Sequence, residues 1–323
     1  MVDSGWCQVT LQQLRYFLAV ARALHFTKAA EAVKVAQSSL SNQIRALEAE
    51  LGAELFIRAR GEVLLTPAGE ALLPIATRML ADADVAKREV ADVVGVHGGL
   101  VRLGAPPSLC VTVLADALRA FHREHLGVRL SVRENGSRDL ASALLHGQLD
   151  LALVVLPTGG VSDQPSLSIT PLLTEELVVA TAATGTTRPS APIPIEALRD
   201  RQMVLFREGY DLRETTLRAC AEAGFTPKLA VEGGEMDAVL CFVEAGLGAA
   251  IVPRMVLSGR PGLRGTRLAR PGLRRTIGLA RRTDTAPTNA VRAFETALLD
   301  FLRSAAATGD LPSGVEFIGG RPD

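Results

Sequence analysis

Apolar residues in the first 94 positions recur at helical intervals. Leu11, Leu14, Phe17, Leu18 and Ala21 predict a helix over 11–24. Thr27 is placed to cap a second helix, with Ala29, Ala30 and Val33 on one face. After the break Lys34-Val35-Ala36, a third helix is predicted over 37–51. Its buried stripe is Leu40, Ile44 and Leu47, and Gly52 ends it. The stretch LFIRARGEVLLTPAG (55–69) has apolar strand-like ends around Arg60-Gly61 and predicts a small hairpin. Pro67 suits a first helical turn, and a long helix follows to about residue 94. Leu72, Ile75, Met79, Ala83, Ala86, Val90 and Val93 share one side of it. A stripe that long needs a cover, and a second copy of the same helix is the simplest one.

GVHGG (95–99) is a flexible break, after which the pattern changes. LVRLGA reads as a strand, 108–124 as a helix, VRLSVRE as a strand, 137–145 as a helix and LDLALVVL as a strand. This βαβαβ order predicts a parallel sheet with helices on its faces. The alternation returns in EELVVATA, QMVLFRE, LRETTLRACAEAG, KLAVEGG, MDAVLCFVEAGLG and AAIVP, which predicts two α/β lobes. The expected division is a helical unit over 1–66, a linker helix over 67–94, a hinge over 95–99 and a two-lobed region over 100–306. The tail, 307–323, is rich in Gly and Pro and is expected to be mobile.

Composition narrows the function classes. The 323 residues are 48% hydrophobic, enough for two or three folded cores, and the formal net charge is zero. Residues 10–66 carry seven basic side chains against five acidic ones, a mild local excess. The four cysteines (Cys7, Cys110, Cys220, Cys241) form no CxxC pair, and the five histidines lack metal spacing, so no metal or other cofactor is expected. Scattered cysteines and the lack of a basic start with an apolar run fit a reducing cytoplasm, and nothing approaches a membrane span. No phosphate loop and no Ser-His-Asp order stands out, so no catalytic residue is assigned and no enzyme is expected.

The third helix carries the most specific chemistry. Ser38, Asn42 and Arg45 point away from the stripe, flanked by Gln37, Ser41 and Ala46. Short hydrogen-bonding groups and one Arg suit a helix lying in a major groove, where Asn or Gln pairs adenine and Arg pairs guanine. Arg58 and Arg60, in the hairpin, would reach phosphates or the minor groove. The plainer alternative is a solvated amphipathic helix in a three-helix core.

The stretch LRYFLAVARALHFTKAAEAVKVAQSSLSNQIRALEAELGAELFIRARGEVLLTPAGEALL resembles the DNA-binding region of the LysR-type transcriptional regulators. Phe26-Thr27, Ala29-Ala30, Gln43-Ile44, Leu47-Glu48, Leu51-Gly52, Leu55-Phe56 and Thr66-Pro67-Ala68-Gly69 are among the matching features. VRLGAPPS, LLHGQLDLALV, PLLTEELVVA and VEAGLGAAIVP are similar to the family's effector-binding domain. The resemblance implies an N-terminal all-α winged helix-turn-helix domain, a long linker helix and a two-lobed α/β effector domain like periplasmic binding proteins. It implies double-stranded promoter DNA as partner, a homodimer or homotetramer, contact with RNA polymerase and no membrane. Carried over, the DNA contacts are Gln37, Ser38, Ser41, Asn42, Arg58 and Arg60. Ala36 stands where the family has Ser or Thr, and Ser38 and Asn42 replace a frequent Pro and Arg, so the operator cannot be borrowed from relatives.

A small effector is expected between the lobes. Ser108 and Ser137 each follow a strand and begin a helix, a position that favours an anion or carboxylate and, by resemblance, touches effectors. Thr158, Phe206, Arg207 and Glu235 are expected to complete the cleft. Each Ser reads equally as a helix cap. GYDLRETTLRAC resembles the redox segment of the family's peroxide sensors, in which two cysteines lie nine positions apart. Here Cys220 holds the second position but Asp211 the first, and Asp forms neither sulfenic acid nor disulfide. The alternative of another class is a solute-binding or small-molecule enzyme whose N-terminal helices only dimerise.

Overall fold

The structure, a computed structural model, describes residues 8–59, 62–93, 99–156, 166–183 and 191–319. The chain forms two compact units, with the boundary between residues 91 and 92.

In the first unit, helices α1 (Leu11–Ala23), α2 (Phe26–Ala32) and α3 (Gln37–Leu51) precede a hairpin of β1 (Phe56–Ala59) and β2 (Glu62–Leu65) and the long helix α4 (Pro67–Val93). A capping box starts α1: Thr10 Oγ1 accepts from Gln13 N, and Gln13 Oε1 from Thr10 N. The cap of α2 is His25, not Thr27, which lies inside the helix. His25 Nδ1 accepts from Thr27 N and Lys28 N at 3.2 and 3.5 Å. Ala36 gives α3 no side-chain cap, and Gly52 closes it at φ 67°. Phe17, Leu40, Ile44, Leu47 and Phe56 form the core, with Phe26 edge-on to Phe56. Thr66 joins hairpin to α4: its hydroxyl donates to Glu54 O and accepts from Gly69 N. A Cβ on Gly69 would collide with the Leu55 carbonyl, so this junction requires Gly.

The second unit holds β3 (Leu100–Ala105), α5 (Pro107–Cys110), α6 (Val113–Glu124), β4 (Arg129–Glu134), α7 (Ser137–Leu145), β5 (Leu151–Leu156) and β6 (Leu167–Ala182). Next come β7 (Gln202–Leu205), α8 (Asp211–Glu222), β8 (Lys228–Glu232), α9 (Met236–Glu244), β9 (Ala250–Pro253), β10 (Leu263–Arg267), β11 (Leu273–Arg282), α10 (Asn289–Thr308) and β12 (Val315–Phe317). The helix expected over 108–124 is broken at Val111–Thr112 into α5 and α6.

The first lobe orders its strands β4-β3-β5-β11, with β3 parallel to β4 and β5 as the βαβαβ pattern requires. The sheet is nevertheless mixed. The long strands β6 and β11 run antiparallel through both lobes, and β9, β10 and β12 pair antiparallel with β6. In the second lobe β7 lies parallel to β8. The tail expected to be mobile is tied down: Val315–Phe317 pairs with Glu175–Leu173 of β6, and Val315 is buried. Three ladder residues outweigh the local Gly and Pro. Among the described residues no helix is long and apolar enough to cross a membrane.

Candidate DNA-binding face and effector cleft

Leu40, Ile44 and Leu47 are fully buried, so the orientation of α3 is set by its apolar stripe. Gln37, Ser38, Asn42 and Arg45 are exposed, with Ser38, Asn42 and Arg45 one above another at i, i+4 and i+7. Arg45 Nη1 donates to Asn42 Oδ1 at 3.3 Å. Ser41 does not join this face. It is 6% exposed, because its place beside Leu40 and one turn before Ile44 turns it toward the core. Arg58 lies on β1 opposite Val63, and Arg60 lies outside the described residues.

The cleft between the lobes of the second unit is held shut by side chains. Asp211, the first residue of α8, accepts from Ser137 N at 3.1 Å and Ser137 Oγ at 2.8 Å. Ser137 Oγ also accepts from Val155 N at 2.8 Å. The anion place at the N-terminus of α7 is therefore filled by the protein's own carboxylate, and Asp211 also sits favourably at the N-terminus of α8. Beside it Arg138 pairs with Glu214 at 3.1 Å. On the other flank Arg207 donates from Nη2 to Asn135 Oδ1 at 2.7 Å and from Nε to Glu235 Oε1 at 2.5 Å. The Glu235 hydrogen bond holds Arg207 firmly charged. Burial first, then the charges of Glu235 and Asp237, raise the Glu134 carboxyl above its usual range.

Behind these bridges lies a buried polar cluster that the sequence did not reveal. Arg275 of β11 and Glu175 of β6 are register partners, both side chains 2% exposed, with an Nη2–carboxylate distance of 3.2 Å. Arg275 Nη2 also donates to Ser108 Oγ at 2.6 Å. Ser108 thus belongs to the interior and does not face an open cleft. Phe206 is likewise core, its ring 4.9 Å from that of the buried Tyr210. Thr158 lies outside the described residues. Burial raises the Glu175 carboxyl against the opposing pull of Arg275, and raises the Tyr210 phenol. Reading Arg275 from the sequence would have required the register of two strands a hundred residues apart.

The lobes meet closely at Gly136. A Cβ there would run into the Gly209 carbonyl oxygen. We expect Gly136→Ala to prise the lobes apart and cost about 1–3 kcal/mol, as overpacking does. Urea denaturation would give the loss, and small-angle scattering the opening; an unchanged midpoint and profile would mean that the lobes already breathe at this contact.

The N-terminal residues 11–70 match the model of the bacterial regulatory helix-turn-helix protein, lysR family, and residues 95–303 match the LysR substrate binding domain. A probable hydrogen peroxide-inducible genes activator of Streptomyces viridosporus is 34% identical over 92% of this chain and 95% of its own length. The transcriptional dual regulator GltC of Bacillus subtilis is 33% identical over 75% of this chain and 80% of its own. Among solved structures, a full-length OxyR of Pseudomonas aeruginosa bearing a cysteine-to-aspartate substitution superposes with TM-score 0.67 at 26% identity, covering 98% of this chain and 99% of that one. The chain belongs to the LysR family: it is a DNA-binding transcriptional regulator with an effector-binding domain.

Peroxide is named for some of these relatives, but Cys110 and Cys220 do not favour it. Cys220 is buried and burial raises its pKa; Cys110 is pushed up to about 12, by burial and then by Glu134. Thiolate is the nucleophile that attacks peroxide, so both thiols react poorly with it at neutral pH. Hydrogen peroxide is expected to produce no intramolecular disulfide and no change in DNA binding. Mass spectrometry of treated protein would reveal a disulfide if one formed.

Proposed function

We propose that the α3 face reads operator DNA directly, through Gln37, Ser38, Asn42 and Arg45, while Arg58 and Arg60 reach the backbone or minor groove beside it. The observation that carries this reading is the exposed Ser38-Asn42-Arg45 line over a packed Leu40-Ile44-Leu47 stripe. Two such heads act together. Ile75, Met79 and Val90 are exposed on α4, and pairing with a second copy would cover them. Dimers then join into a homotetramer in the cytoplasm, in reach of RNA polymerase.

Control comes from a small effector binding between the lobes, near Ser137, Thr158, Arg207 and Glu235. The interlobe bridges Ser137–Asp211, Arg138–Glu214 and Asn135–Arg207 are the two-state element. An effector that binds better when they are rearranged shifts the population, and this differential affinity is all the coupling requires.

The test is binding of the full-length protein to the intergenic DNA upstream of its own gene, over a salt series. Saturable binding whose log affinity falls with log salt, by about 0.9 per phosphate contact, supports the reading. Equal affinity for that region and for scrambled duplex, together with an empty genome-wide pull-down, would remove operator reading by this face.

A further inference from the structure

The place in this cleft that suits a carboxylate is already filled. Ser137 begins α7 and is fully buried. Its amide and its hydroxyl both donate to one oxygen, Asp211 Oδ2, at 3.1 and 2.8 Å. Ser137 belongs to the first lobe, and Asp211 opens α8 in the second. One carboxylate thus lies at two helix N-termini from opposite sides of the cleft, and each favours negative charge. Asp211 forms no ion pair among the described residues, although Arg138, Arg218 and Arg275 line the same pocket. Even Arg275, buried with its Nε and Nη1 unpartnered, makes no hydrogen bond to it. The partners of Asp211 are the donors that a bound carboxylate would take.

The closed cleft has little room for anything more. The pocket beside Asp211 measures about 90 Å³, against about 300 Å³ or more for an ordinary small-molecule site. Gly136, just before Ser137, lies so close to the Gly209 carbonyl that a Cβ would collide with it. Asp211 follows two residues after Gly209, so the touching backbones and the shared carboxylate form one contact. A group tethered in this way acts at a high effective concentration, because folding has already met the entropy of capture.

We infer that Asp211 is a ligand carried by the chain itself. Its carboxylate stands in for a bound carboxylate at Ser137 and closes the two lobes in the absence of any small molecule. The regulator therefore rests in the closed arrangement, and a signal acts by breaking the closure rather than by making it. This rests on the reading of the cleft as the control site, and adds its resting state and the residue that holds it.

The experiment removes the carboxylate and returns it in free form. Asp211→Ala is made in the full-length protein and studied with sodium formate, which supplies the deleted group, at constant ionic strength. Formamide is the neutral counterpart. Hydrogen–deuterium exchange mass spectrometry follows the Ser137 amide, and small-angle scattering follows the lobes. Without formate the variant should exchange at Ser137 at least about tenfold faster than the parent and scatter as a more open particle. Formate at about 10–100 mM should restore both saturably, formamide neither, and the parent should not respond. Adding Ser137→Ala should raise the formate needed several-fold. Asp211→Asn, the same shape without the charge, should open the lobes in part and gain nothing from formate, because its amide fills the place. Unchanged scattering in Asp211→Ala would make the carboxylate a helix cap that closes nothing. Opening that formate does not reverse, or that formamide reverses equally, would make it a structural contact. Either result overturns the inference.

Operator affinity measured on the same samples separates this inference from the regulatory reading. Lobes that open in Asp211→Ala and close with formate, at unchanged operator affinity, support the tethered ligand and remove the cleft as control site. Lobes that stay closed in Asp211→Ala while its operator affinity changes keep the cleft as control site and overturn Asp211 as the ligand that closes it.

Discussion

Replacing Asn42 and Arg45 together by Ala leaves the DNA-binding unit folded and removes its preference for operator over random DNA. Both side chains are exposed and hydrogen-bonded to each other. Stability should therefore change by no more than about 0.5 kcal/mol, the usual size for surface positions. Binding is another matter. A bidentate contact of Asn with adenine or Arg with guanine discriminates by about 1–3 kcal/mol, so losing both lowers operator affinity by roughly 100-fold or more. The two effects will not add simply, because Arg45 and Asn42 are hydrogen-bonded to each other. Affinity for random duplex should fall far less, since Arg45 supplies only one charge. Fluorescence anisotropy on operator and scrambled duplexes would measure the ratio. A ratio equal to that of the parent would transfer specificity to the hairpin.

The single substitution Arg275→Gln should be the most destabilising change in the effector-binding domain. It leaves the Glu175 carboxylate 2% exposed with no cation opposite, and breaking one side of a buried pair costs about 3–5 kcal/mol. The companion Glu175→Gln should restore most of the loss, because no charge is then stranded. The pH dependence has a definite sign. Burial already raises Glu175 above the ordinary glutamate range, and loss of Arg275 raises it further. A carboxyl raised on folding favours the native state while protonated. The variant should thus approach the parent below the ordinary glutamate pKa and lose stability as pH rises through the folded-state value. Chemical denaturation of the three proteins across that window would show it. A constant deficit at every pH would mean that Glu175 finds another cation when Arg275 is gone.

The helix-turn-helix was legible because its determinants are local. Leu40, Ile44 and Leu47 fix which way α3 faces, Gly52 ends it, and the exposed Asn42 and Arg45 follow from that phase alone. One residue defeated the same reasoning: Ser41 is small and polar, yet it borders the stripe closely enough to be buried. His25 was missed as a cap because a hydroxyl two residues on is the commoner signal.

The cleft was only half legible. Strand-then-helix order placed Ser108 and Ser137 correctly at helix starts. It could not say that Asp211, 74 residues on, would occupy the anion place at Ser137. Nor could it find Arg275, whose partner Glu175 is met through the antiparallel register of two strands from different parts of the chain. The tail shows the same limit, since its Gly and Pro residues hide the three-residue strand that β6 captures.

The sequence by itself determined the family, the helical head with its outward face and the two-lobed α/β plan, because periodicity and short motifs act within a few residues. Only the tertiary structure decided that the lobes are latched by Asp211 and that Arg275 is buried with idle donors. Those features depend on strand register and lobe closure, which bring together residues far apart in the chain.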